Sequence, residues 1–231
     1  SWRMPKNSNQ SNASNYSIKF GPTNFMELAA GDEDTDPTFE PFKPVSNKFS
    51  ISCWVKFDDA TPSAYQYIVN SSSQSGATKW SFDLSTTGYL RFQLLIGSPQ
   101  KVAESNFALS ADVWYHLVGL WDGTNVKLYI NGTDSETTPG AASGTYTDTL
   151  DNSFVSIGVF RFSPNGNSKT NYFTGELSDF SVWNNTALDE DHITALYNNG
   201  SPANPLAIGT PPSTYYNLGQ GSAYAEGSAG I

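Results

Sequence analysis

Apolar and polar residues alternate with a period of two along much of this chain. Phe49, Ile51, Cys53, Val55 and Phe57 are interleaved with Ser50, Ser52, Trp54 and Lys56, which puts an apolar row on one side of an extended segment. A slip of one residue would turn that row to solvent, so the register of such a strand is strongly specified. Shorter runs over residues 16–20, 25–28, 67–69, 80–84, 89–94, 126–130, 154–159 and 172–183 predict further strands. Residues 114–121 are apolar almost throughout, the pattern of a strand covered on both faces. Asp122-Gly123-Thr124-Asn125 and Asn131-Gly132 supply tight turns between neighbours. One helix is predicted over residues 188–197. Asp189 is its cap candidate, Glu190 and Asp191 sit in its first turn, and Ile193, Leu196 and Tyr197 share a face before Asn198-Asn199-Gly200 and Pro202 end it.

Short strands separated by dense turns predict an all-β fold, a two-sheet antiparallel β-sandwich or jelly roll with one short C-terminal helix. The 231 residues suit a single core of this kind. Three regions are expected: a polar, Asn- and Ser-rich arm over 1–15, the sandwich over 16–202, and a Gly/Pro/Ser-rich extension over 203–231 that runs across the surface. Aromatic residues make up 14% of the chain against 15% charged residues, a balance that argues against a helical bundle or a disordered chain. The net charge of −10 repels phosphate backbones and argues against nucleic-acid binding. No run reaches the roughly 20 apolar residues of a membrane helix, so no membrane insertion is expected. Cys53 is the lone cysteine, which rules out an internal disulfide and a cysteine-cluster zinc site, and its strand context reads as a small core residue. The start at Ser1, with no apolar leader, reads as a processed chain or a piece of a longer one.

Four stretches, in order, resemble the laminin-G-like and pentraxin-like jelly rolls of the concanavalin A-like group. Phe49-Ser50-Ile51-Ser52-Cys53-Trp54-Val55 resembles the early core strand. Trp114-Tyr115-His116, then Asp122-Gly123, then Val126-Lys127-Leu128-Tyr129-Ile130-Asn131-Gly132 resembles the group's most recognisable hairpin. Residues 173–183 resemble the closing strand, and 188–200 the helix that follows it. The resemblance covers about residues 16–202. Tyr215-Tyr216-Asn217-Leu218-Gly219 is similar to a stretch found after this helix in some members, among them bacterial surface proteins and structural proteins of marine phages.

Fold alone assigns no function, so the site residues decide. Glucanase relatives carry Glu-x-Asp-x-Glu on one strand; the nearest match here is Glu176, with Ser178 and Phe180 where the partner carboxylates would stand. No catalytic residue is assigned. His116 is expected to pack and His192 to be exposed. The stretch that matches the pentraxin calcium loop is Gly158-Val159-Phe160-Arg161-Phe162, which lacks the necessary oxygen ligands. The remaining metal candidate is the acidic loop holding Asp32, Asp34 and Asp36, whose alternating carboxylates could converge on a structural calcium; no cofactor is required otherwise. Candidate ligand contacts are Trp80, Phe160, Arg161, Phe162 and Tyr172, with Tyr89 as a further aromatic beside the variable loops.

Together these features predict a non-catalytic structural or adhesive module, extracellular or on a virion surface, as in a phage capsid decoration or fibre. Its expected partners are other structural chains, copies of itself among them, and surface glycans. The alternative is a glycan-binding adhesin domain of a secreted or cell-surface protein; a glycoside hydrolase comes third.

Overall fold

The computed structural model describes residues 17–32, 35–44, 47–97, 99–137, 140–141, 146, 152–162 and 167–218. The arm over 1–15, Asp34 and the extension after Leu218 lie outside the described residues. The strands are β1 (Ile18–Phe20), β2 (Met26–Gly31), β3 (Phe49–Phe57), β4 (Gln66–Ser73), β5 (Thr78–Leu84), β6 (Tyr89–Leu94), β7 (Lys101–Ala108) and β8 (Trp114–Trp121). They continue with β9 (Asn125–Ile130), β10 (Thr133–Asp134), β11 (Gly140–Ala141), β12 (Ser153–Ile157), β13 (Phe160–Phe162), β14 (Ser168–Thr170), β15 (Gly175–Trp183) and β16 (Thr214–Tyr216). The predicted helix is α1 (Glu190–Tyr197).

Two large antiparallel sheets form among the described residues, as the alternation predicts, and β13 and β14 pair separately as a two-stranded hairpin. An eight-stranded sheet runs β1-β15-β3-β8-β9-β10, with β16 beside β15 and β11 beside β9, and a six-stranded sheet runs β2-β12-β4-β5-β6-β7. Their facing sides hold the core. Phe49, Ile51, Cys53, Val55 and Phe57 meet Trp80, Phe82, Leu84, Leu90, Phe92 and Leu94 in one buried cluster. Phe92 lies where a Cβ on Gly119 would sit, so a glycine in the middle of β8 admits the ring. Cys53 is buried in this core, and burial drives its thiol pKa far up, consistent with an inert side chain.

The six-stranded sheet has an edge strand, β7, that the apolar pattern does not announce. Its buried positions are the small residues Ala103 and Ser105, which give little hydrophobic signal. The hairpin β13–β14 and the three-residue β16 are likewise too short to show a period. The expectation that everything after 202 runs loosely over the surface is corrected. β16 pairs with β15 through Tyr216↔Phe180 and Thr214↔Val182, Trp183 Nε1 donates to the Thr210 carbonyl at 2.8 Å, and Leu218 is buried. Residues 214–216 therefore add a strand to the eight-stranded sheet, and Thr210 and Leu218 tie the segment to it.

Helix α1 covers the outer face of that sheet. Ile193 and Leu196 join Val118, Leu120, Tyr129, Trp183 and Leu188 in a second apolar cluster, which explains why β8 is apolar on both sides. Asp189 caps the helix by accepting from the His192 N–H at 2.9 Å, and Asn198 ends it in the left-handed conformation. Among the described residues no helix is long and apolar enough to cross a membrane.

His116 lies between this helix and the sheet. Its ring packs 5.2 Å from Trp54 and 6.2 Å from Tyr197, and its Nε2 is 2.9 Å from Ser52 Oγ. Nδ1 is buried without a partner, so the tautomer that donates from Nε2 strands only a lone pair and is the cheaper one. Burial lowers its pKa to about 3. The unfolded chain takes up this proton near pH 6.5, whereas the folded chain resists it down to about 3, so stability falls as pH drops through that window. Each pH unit there should cost about 1.4 kcal/mol from this group alone. Urea unfolding of the wild type and of His116→Gln at stepped pH should show the steeper acid loss in the wild type.

Candidate functional site

The outer face of the six-stranded sheet is built from the polar half of the same alternation. Because Trp80, Phe82, Leu84, Phe92 and Leu94 point into the core, Ser81, Asp83, Arg91 and Gln93 point outward. One row of register partners across the sheet reads Ser156, Asn70, Ser81, Gln93, and the next places Arg91 between Asp83 and Glu104. Ser156, Asn70, Ser81 and Asp83 are nevertheless wholly buried. Side chains and a hairpin lie over them.

Asp83 is the centre of this face. Its Oδ1 accepts from Arg91 Nε at 2.7 Å and Nη2 at 2.5 Å, and its Oδ2 accepts from Ser81 Oγ at 2.8 Å and from Gln93 Nε2. Burial outweighs the Arg91 charge and the hydrogen bonds from Ser81, Arg91 and Gln93, and holds the carboxyl pKa above its ordinary value. Tyr65 closes the stack, with its ring 4.2 Å from the Arg91 guanidinium carbon. Tyr65 is 37% exposed, one of the few large apolar side chains on the surface. Burial, and after it the Asp83 charge, raises the Tyr67 pKa, so this hydroxyl stays protonated at neutral pH.

The β13–β14 hairpin borders the same face. Asn70 Nδ2 donates to the Val159 carbonyl at 2.6 Å and Ser72 Oγ to the Arg161 carbonyl at 2.7 Å, which ties β13 across β4. Phe160 packs on Tyr67 with centroids 4.7 Å apart, and Phe162 follows at 6.0 Å from Phe160. All three rings are half-buried, so part of each faces solvent. Asn70 Oδ1 and Ser156 Oγ, register partners beneath the hairpin, are buried without hydrogen-bond partners.

The candidate contacts named from sequence divide sharply. Phe160 and Phe162 lie on this face, and the Tyr172 backbone bridges to Tyr67, so Tyr172 is brought to its margin. Trp80 is corrected: it is fully buried between the sheets, packs against Phe42 and Phe49, and donates from Nε1 to the Phe42 carbonyl at 3.0 Å. Arg161 is corrected too. Alternation along β13 turns it away from Phe160 and Phe162, and it is buried in an ion pair with Glu27, with its guanidinium over Phe154 at 4.7 Å and Phe25 at 5.4 Å. Tyr89 is half-buried at the start of β6, on the same side as Arg91. Asp36 is used locally, as the cap of the 3-10 turn Pro37–Phe42, where Oδ1 accepts from the Thr38 N–H at 2.9 Å. That turn inserts Phe39 and Phe42 into the core. Asp32 accepts through its backbone carbonyl from Thr35 and Asp36, and Asp34 lies outside the described residues.

Asp83, Ser81, Arg91 and Gln93 carry no aromatic signal, and Tyr65 and Tyr67 are not among the candidates named from sequence. A signal was available: Ser-x-Asp and Arg-x-Gln are the polar halves of two strands whose apolar halves are core, so both must share an outer face. Glu176, the one match to the glucanase motif, sits on the other sheet. Burial would raise its pKa, but Lys56 at 2.7 Å and Ser17 at 2.5 Å outweigh that and hold it below the usual range.

Residues 9–194 match the family model described as the concanavalin A-like lectin/glucanases superfamily. Among curated proteins no sequence matches the chain. Solved structures with a similar fold include a heptameric SAP-like pentraxin from Limulus polyphemus, at 17% identity and TM-score 0.58, covering 80% of this chain and 82% of that one. The CBM40 of the Ruminococcus gnavus IT-sialidase, bound to alpha2,3 sialyllactose, is 15% identical with TM-score 0.56, covering 79% of this chain and 96% of that one. The receptor-binding domain of a botulinum neurotoxin C/D mosaic serotype is 15% identical with TM-score 0.56, and the match spans 82% of this chain but 44% of that one. At these identities the likeness is one of fold.

The Asp83–Arg91 pair makes a measurable demand. Arg91→Met leaves a buried carboxylate uncompensated and should lower unfolding free energy by about 3 kcal/mol, whereas Asp83→Asn with Arg91→Met should recover a large part of the loss. A urea double-mutant cycle measures both.

Proposed function

Because the chain belongs to the concanavalin A-like lectin/glucanase superfamily, we propose that it is a non-catalytic, carbohydrate-binding adhesive module whose contact surface is the outer face of the six-stranded sheet. The observation that carries this reading is a set of part-exposed rings, Tyr65, Tyr67, Phe160 and Phe162, on the face where a buried cluster of Asp83, Ser81 and Gln93 fixes the Arg91 guanidinium in place. Sugar rings present C–H faces that pack on aromatic rings and hydroxyls that need oriented polar partners, and a binding site of this class combines a few of each. The rings here are held on strands and a pinned hairpin, so little ordering entropy is lost on contact.

The non-catalytic part rests on the carboxylates. Hydrolysis of a glycosidic bond uses two carboxyl groups flanking one bond, one of them able to donate a proton. Asp83 is wholly buried and occupied by four donated hydrogen bonds, Glu104 of the same row is held apart from it by the intervening Arg91, and Glu176, held low by Lys56 and Ser17, belongs to the opposite sheet. The reading requires no cofactor. Its setting is proposed as outside a cytoplasm, on a virion exterior or a cell surface, where a surface of net charge −10 disfavours nucleic acid and leaves glycans and neighbouring structural chains, copies of itself included, as partners.

A glycan array followed by titration calorimetry on the best ligand tests this. The wild type should bind, and Tyr67→Ala and Phe160→Ala should each weaken binding by about tenfold, or roughly 1.4 kcal/mol, while remaining folded by circular dichroism. No wild-type binding to any glycan, or unchanged affinity in both folded variants, would remove this face from consideration.

A further inference from the structure

Resting on that reading, we infer that the carbohydrate this face takes is uncharged: a neutral, hydroxyl-rich oligosaccharide in place of a sialylated, uronic or sulfated one. The argument is a matching of charges. Arg91 is the part-exposed cation in this row of the face, lying in register between Asp83 on β5 and Glu104 on β7, while Lys79 of β5 is wholly buried. Asp83 takes two of its N–H donors, Nε and Nη2. Glu104 is exposed on the neighbouring strand, so an approaching anion meets a carboxylate beside the guanidinium. Drawing Arg91 toward a ligand carboxylate would also strip a wholly buried Asp83 of its counter-ion, which is among the costlier losses a protein can suffer.

The second cation of the region is no freer. Arg161 is buried, is paired with Glu27, and faces Phe154 and Phe25, on the opposite side of the hairpin from Phe160 and Phe162. Lys169, its register partner on β14, is drawn to the same side, 5.3 Å over the Phe25 ring. Among the described residues the polar group placed with the part-exposed rings is neutral: the Tyr67 hydroxyl, which burial and Asp83 keep protonated. Neutral donors and acceptors with aromatic planes suit sugar hydroxyls and C–H faces. The bound sialyllactose of the Ruminococcus gnavus module is acidic, so the inference separates this chain from a structure whose fold it shares.

The experiment is direct binding of the full chain to two immobilised panels, one of neutral oligosaccharides (β-glucan, mannan and galactan series) and one of acidic oligosaccharides (3′-sialyllactose, oligogalacturonate, heparan-sulfate fragments). Each is run at low salt and at about 0.5 M salt, where exposed charge interactions are screened. We expect retention of at least one neutral ligand, with affinity changing less than about twofold between the two salts, and no retention of the acidic panel. Preference for an acidic ligand, with affinity falling as salt rises, overturns the neutral assignment and leaves the carbohydrate-binding reading standing. Silence on both panels sinks both.

Discussion

A strand sends successive side chains to opposite faces, so a sheet that buries one face must still dispose of the other. That constraint organises the whole molecule. The inner halves of the two sheets answer it in the same way, by forming one apolar core from residues such as Phe49, Ile51, Phe82 and Phe92. The outer halves answer it differently, and the difference sets apart a structural face and a candidate binding face.

On the eight-stranded sheet the outer residues are apolar enough to hold a helix. Val118, Leu120 and Trp183 receive Ile193 and Leu196, and the polar remainder, His116 and Ser52, is sealed beneath Trp54 and Tyr197. Burial of this apolar surface, at roughly 25 cal/mol per Å2, outweighs the penalty of a histidine held neutral with one nitrogen unpaired. The six-stranded sheet has no such apolar outer row. Its outward residues include Asn70, Ser81, Asp83, Arg91 and Gln93; Ser81, Arg91 and Gln93 converge on Asp83, and Asn70 donates to the Val159 carbonyl of the hairpin. A buried carboxylate persists there because four donated hydrogen bonds replace its lost hydration, and the same bonds hold the neighbouring side chains in place. Rigidity at a surface rich in half-exposed rings is a property that binding rewards and a purely structural face does not need.

The alternation made the sandwich legible, and it made the core legible with it. Phe49 to Phe57 and the doubly apolar run ending at Trp121 carry both period and register in their residue types. The helix was legible for a similar reason, since Asp189, the acidic first turn and the Asn198 stop are local signals. The candidate site was legible only in part. Phe160 and Phe162 stood out as apolar residues entering a polar loop, and they do border the face. Trp80 and Arg161 looked equivalent to them along the chain and are not, because the faces they point toward depend on which sheet and which hairpin their strands join.

By itself, then, the order of residues determined which positions are apolar on a strand, where turns and helix ends fall, and hence a two-sheet all-β architecture, because these are short-range consequences of backbone geometry and burial. Only the tertiary structure decided that Asp83 meets Arg91 under Tyr65, that Tyr67 meets Phe160 across more than ninety intervening positions, and that residues 214–216 join the eight-stranded sheet. Those contacts join segments far apart in the chain, and their partners are chosen by strand order and hairpin placement, which no local pattern of hydrophobicity encodes.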